Sequence, residues 1–170
     1  MNPLRGFPGH PSHPPLTDVT IGAYTFALVA AILTKASVAP GAFAQAWWLA
    51  LVVAACSSVL TVSTGLLDWL QISSGTPLCR TATLHAVSMA SASAVFVVAI
   101  VACHDDYVHR SLSAGALVLT IAGFLLLTAR GSIGGSITYV HGMRVLSLVD
   151  EPTHRAIVPA PYEEKEKASA

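Results

Sequence analysis

The chain has 170 residues, of which 54% are hydrophobic and only 11% charged. Soluble domains use about 25% charged residues to cover a water-facing surface, so a soluble domain is excluded and lipid is the expected solvent for most of this surface. The formal net charge is zero, which gives no footing for a nucleic-acid partner.

The first sixteen residues hold five prolines, two histidines and one arginine. This is not the basic stretch plus early apolar run of a signal peptide. It reads as a Pro/His-rich leader over 1–16, in which His10 and His13 form a solvated cap on the bland reading. Four apolar segments follow. The first runs from about Val19 to Leu33 and borrows its flanks, Leu16 to Lys35, to reach the roughly 20 residues that cross about 30 Å of hydrocarbon. The second runs from about Ala46 to Leu70. Trp47 and Trp48 stand at one end and Trp69 at the other. Trp48 and Trp69 are about 32 Å apart along a helix, so all three are expected in the headgroup layers that tryptophan prefers.

The third segment spans about Thr81 to Cys103. The fourth starts near Leu112 and stays apolar to Thr128, and two readings stand for its end. Either the helix continues to Tyr139, which puts Arg130 inside the membrane with Asp68 as a candidate partner, or the span stops at Arg130 and Gly131-Ser132-Ile133-Gly134-Gly135 opens an interfacial segment. Gly131 and Gly135 have the four-residue spacing that permits close helix contact.

The connections carry turn chemistry: Ala39-Pro40-Gly41, then Ser73-Ser74-Gly75-Thr76-Pro77, then His104-Asp105-Asp106, expected as a wet loop with His109 beyond it. Short connections favour antiparallel neighbours. The expected fold is all-α, an integral membrane four-helix up-down bundle over 17–145. The charged tail, 146–170, is expected to be disordered. Cys56, Cys79 and Cys103 lack metal or redox spacing. Cys56 and Cys103 read as apolar packing residues and Cys79 as interfacial.

Four crossings put both termini and the second connection on one side. That side holds Arg5, Arg80, Arg144 and Arg155 near the span ends, and Lys165 and Lys167 in the tail. The other holds Lys35 and Arg110. By the positive-inside rule both termini face the cytoplasm.

Threading also gathers the polar residues. His10, His13 and Asp18 precede or open the first span, Asp68 closes the second, Arg80 and His85 open the third, and His141 and Arg144 follow the fourth. All fall on one face of the membrane. Ser57, Thr61, Thr64 and Asp68 form a stripe on the second span, and Thr81, His85 and Ser88 form one on the third. Polar groups avoid lipid, so the two stripes are expected to face each other.

Two kinds of site fit this cluster. One is a b-type haem with His85 as an axial ligand, a second ligand from His141, His13 or His10, and Arg80 or Arg144 on the propionates. The other is a transition-metal site built from His10, His13, Asp68, His85 and His141, donors that suit zinc, copper or iron. On the bland readings His85 ties helices together through Asp68 or a carbonyl, His141 is an interface residue, and His154 in the tail carries no signal. No nucleophile motif, phosphate loop, CxxC or CxxCH is present, so no independent catalysis is expected.

The chain resembles the bacterial four-span membrane proteins catalogued as domain of unknown function 2231. The resemblance runs from Gly9 to about Val145. It is carried by Gly9-His10-Pro11-Ser12-His13-Pro14, Asp18, Ile21-Gly22, Thr64-Gly65-Leu66-Leu67-Asp68-Trp69, Arg80, Thr83-Leu84-His85-Ala86, Gly134-Gly135 and His141-Gly142. Relatives often have an asparagine where this chain has Met89. The resemblance implies a bacterial inner-membrane protein and, through relatives linked to Rieske-type redox proteins, an electron-transfer setting. Three readings result: a haem- or metal-binding redox subunit, a structural or accessory subunit of a membrane complex, and a small proton-coupled transporter using Asp68 and His85.

Overall fold

The computed structural model describes residues 3–7, 9–146 and, in the tail, 152, 153 and 157. The expected disorder of the tail, with His154, Arg155, Lys165 and Lys167, falls outside the described residues. Helix α1 covers His13–Lys35, α2 Pro40–Trp69, α3 Pro77–Ala102, α4 the short piece His104–Val108, and α5 Ala114–Tyr139. The four long helices are each apolar and long enough to cross a bilayer. This is a multi-pass membrane protein, and lipid covers the large apolar side chains that point outward, such as Val59, Val101 and Leu125.

The helix starts follow from local chemistry. Prolines open α1, α2 and α3, where a missing N–H costs nothing because the first turn has no intrahelical acceptor for it. Thr76 caps α3 by accepting from the Cys79 N–H at 3.1 Å. Ser113 does the same for α5 from Ala116 at 3.1 Å. Helix α1 begins at His13, inside the segment assigned to the leader, because Pro14 and Pro15 suit a first helical turn. Helix α5 runs unbroken through Arg130 and the glycines to Tyr139, which settles the two readings of the fourth segment. In lipid a helix is one of the few ways to bond every backbone group internally, and glycine does not change that demand.

Helix α1 packs along α2, and α3 along α5. The two pairs close on each other through α2–α3 and α1–α5 contacts. Alanines make the close approach possible. Ala27, Ala30, Ala31, Ala44, Ala54, Ala92, Ala99 and Ala116 are fully buried, the small-residue packing expected where no hydrophobic effect separates helix from lipid. The large core side chains are Trp47, Tyr24, Phe96 and Leu51. Tyr24 and Phe96 stack with centroids 3.9 Å apart.

Trp47 corrects the belt assignment. Adjacent residues on a helix share a depth but point about 100° apart, so Trp48 can face the headgroups while Trp47 turns into the bundle. Trp47 is buried and donates its indole N–H to Thr120 Oγ1 at 2.9 Å. Trp48 stays at the membrane edge against His104 and Tyr107, and Trp69 marks the opposite edge, donating to Thr83 at 2.9 Å. Cys56 is also corrected: it is exposed toward lipid rather than packed inside.

The third connection is wet as expected, with His104, Asp105 and His109 exposed, but it carries a short helix rather than an irregular loop. Asp106 Oδ2 accepts from both the N–H and the hydroxyl of Ser113 at 2.8 Å, which joins α4 to the start of α5. Beside it, burial pushes the Cys103 thiol above its ordinary range, the Asp106 carboxylate adds to the effect, and a hydrogen bond with Ser113 partly opposes it. A raised thiol holds less reactive thiolate at neutral pH. With Cys56 and Cys79 replaced by alanine, alkylation of Cys103 by a maleimide should be slower than that of free cysteine at pH 7. Its rate should go on climbing with pH after the free thiol has levelled off.

Candidate functional site

The end of the bundle that carries the leader and the segment after α5 is built around one carboxylate. Asp68 sits in the last turn of α2 and is 8% exposed. Its Oδ1 accepts from Arg5 Nε at 2.9 Å and from Arg144 Nη1 at 2.6 Å. Arg5 comes from a 3-10 turn, Pro3–Arg5, that leads into a two-stranded hairpin pairing Gly6 with Pro11 and Phe7 with His10. The hairpin needs Gly6 at φ +73°, since a Cβ there would fall 2.3 Å from the His10 carbonyl oxygen. Ser12 donates its hydroxyl to the Leu4 carbonyl and closes the leader on itself.

Arg144 reaches Asp68 because the chain reverses after α5. Gly142 adopts φ +66°, and Arg144 itself lies at φ +61°, a region that costs a non-glycine residue of order 1 kcal/mol. Arg144 Nη2 also donates to the Phe7 carbonyl at 3.4 Å. One carboxylate therefore holds the leader and the segment after the last span together.

Deeper in the bundle lie two imidazoles. His13 opens α1 with Nδ1 3.0 Å from the Thr61 carbonyl oxygen and 3.3 Å from Thr64 Oγ1. A carbonyl can only accept, so Nδ1 is the donor in this contact. His85 lies on α3 and is half-buried. Its Nδ1 is buried with no hydrogen-bond partner among the described residues.

A glycine seats each ring. A Cβ on Gly65 would lie 2.8 Å from His13 Cε1, and one on Gly134 would lie 2.9 Å from His85 Cε1. Gly134→Ala should therefore lower stability by about 1–3 kcal/mol through overpacking, seen as an earlier thermal transition in detergent. Gly131→Ala has nothing within 4 Å of the new methyl and should leave the transition in place or raise it.

The remaining candidates are placed as follows. His141 Nε2 lies 3.1 Å from Thr81 Oγ1, joining the end of α5 to α3. His10 is exposed in the leader hairpin, and Arg80 is exposed in the first turn of α3. Asp68 does not meet Arg130, since its two ion-pair partners are Arg5 and Arg144. Among the described residues, no three His, Cys, Asp or Glu side chains stand close enough together to hold one metal ion.

The two polar stripes do not face each other. The α2 stripe faces α1: Thr20 Oγ1 lies 3.0 Å from Ser57 Oγ and 2.9 Å from Thr61 Oγ1, and Thr61 donates to the Leu16 carbonyl at 3.1 Å. The α3 stripe turns to α5 and the segment after it, through His85 on Gly134 and Thr81 on His141. Within the spans, the hydroxyls of the α2 stripe found partners on α1 and the α3 stripe found them on α5 and the segment after it, while Asp68 at the end of α2 alone reaches across to Arg144.

Sequence reasoning missed the role of Arg5, which entered only as a positive charge near a span end. The signal was available: Asp68 at the end of a span needs a cation, and Arg5 lies on the same side. It also missed Gly65 and Gly134 as seats for histidine rings, because glycine in a membrane helix first suggests helix-on-helix contact.

Residues 9–147 match the family model described as "Predicted membrane protein (DUF2231)". No curated protein matches the chain, and neither does any solved structure.

Proposed function

Given a chain that belongs to the DUF2231 family of predicted membrane proteins, we propose that it serves as a structural or accessory subunit of a larger membrane assembly, with no chemistry of its own. The observation that carries this reading is the occupation of Asp68. The most reactive-looking acid in the cluster is bound by two guanidinium groups and works as a fastener. His13 and His141 are likewise held by helix partners. A proton-coupled route through Asp68 and His85 gains no support from an acid bound by two arginines.

A second reading, the haem- or metal-binding redox subunit, is favoured by the two imidazoles. His13 Nε2 and His85 Nδ1 have no hydrogen-bond partner among the described residues, and they lie on two different helices. That fits a group held by two axial histidines better than an ion needing three or more protein donors. Bound there, a haem would supply one-electron chemistry. His13 and His85 would hold it, with Arg80 a cation that has no ion-pair partner among the described residues. An electron-transfer partner such as a Rieske-type protein, the bacterial inner membrane and cytoplasmic termini belong to the same proposal.

Purification from native membranes with a visible spectrum and metal analysis separates the two. The accessory reading expects no Soret band, no stoichiometric metal, and a His85→Ala variant that changes stability alone. A Soret band or bound metal that is lost in His13→Ala or His85→Ala would replace it with the redox reading.

A further inference from the structure

Two charges inside the spans face lipid rather than the bundle. Asp18, on the second turn of α1, is exposed, and so is Arg130 on α5. Neither side chain has a hydrogen-bond or ion-pair partner among the described residues. Ionised groups in such positions are costly, and they ordinarily face a bundle interior, water or a partner.

Their depths can be read from contacts. Thr61 precedes Trp69 by eight residues, and Thr20 bonds to Thr61. Asp18 comes two residues before Thr20, on the side of the leader. That places it about 9 Å below the Trp69 belt. On the other pair, Trp69 meets Thr83, His85 is two residues deeper, and Gly134 seats its ring. Arg130 is one further turn in, again about 9 Å below the belt. An acid and a base thus stand unpaired at one depth on two adjacent helices, since α1 packs against α5.

We propose that this α1–α5 face is the contact between two copies of the chain, with each Asp18 bound to the partner's Arg130. A two-fold arrangement is self-complementary, so it makes the ion pair twice and leaves no charge in lipid. A different protein would have to bring its own acid and base at the same depth. The shape of the face agrees. Gly22, one turn on from Asp18, is exposed, and both it and Gly131 beside Arg130 have nothing within 4 Å of a Cβ position. Two backbones can therefore approach closely.

The test uses two differently tagged full-length copies co-expressed in the same membrane, with one tag pulled down in mild detergent and the other quantified. The native pair should co-purify. Asp18→Arg with itself and Arg130→Asp with itself should each fall by about tenfold or more. Mixing Asp18→Arg with Arg130→Asp should restore capture, because both contacts are then complementary across the interface. An ion pair within one chain would stay broken in that mixture. Native copies that fail to co-purify, or a mixed pair no better than the single variants, would overturn the proposal. If the reversed charges prevent folding, Asp18→Asn and Arg130→Gln decide it. Self-association lost with an unchanged thermal transition supports the contact, and self-association retained overturns it.

Discussion

Asp68→Ala should destabilise the protein by about 3–5 kcal/mol, the usual result when one partner of a buried ion pair is removed and the other charge is stranded. The Asp68 side chain is 11% exposed, and the arginines it binds are 27% and 19% exposed. Without the carboxylate, two half-buried cations would face each other with no anion between them. The expected readout is a thermal transition in detergent lowered by about 10 °C, since 1 kcal/mol moves Tm by about 2–4 °C at this chain length. Asp68→Asn keeps the shape and one acceptor and should fall less. Arg5→Ala and Arg144→Ala should each cost less than Asp68→Ala, because either one leaves the carboxylate with a partner. Their effects should not add, as both act on one oxygen. An Asp68→Ala transition within a degree or two of the native one would refute the fastening role.

Trp47→Ala should cost a similar amount, about 3–5 kcal/mol, and for a different reason. Trp47 is fully buried in the core between helices, and its removal leaves a cavity there. Inside a bilayer most of this loss is packing contact rather than hydrophobic transfer. The Thr120 hydroxyl would still donate to the Ala116 carbonyl at 2.7 Å, so no buried donor is stranded and the cavity dominates. Trp48→Ala, at the membrane edge, should shift the transition far less. Equal shifts for the two tryptophans would return Trp47 to the belt.

The fold was largely legible from residue order. Hydropathy over about 20 residues registers the same constraint that forces helices in lipid, so four spans and their alternation could be read directly. Convergence of Asp68, His85, His141 and Arg144 on one membrane face also followed, because each crossing reverses direction. Contact partners were not legible. Ser57, Thr61 and Thr64 had to leave the lipid, but whether they turned to α1 or α3 depends on which helices pair most closely. That choice is made by alanines such as Ala27, Ala30 and Ala54, which carry no polar signal. Arg130 was legible as a problem and not as a solution. Its depth followed from its position in the segment, whereas its lack of a partner in the bundle required the arrangement of all four helices.

Arg144 follows the last crossing in the chain. A protein threaded into the membrane from its N-terminus can bring Arg5 to Asp68 once two helices are in place, but the second arginine arrives only after the fourth. The shared oxygen therefore separates a chain with two helices in place from one with four, and closing that end of the bundle waits for the fourth crossing.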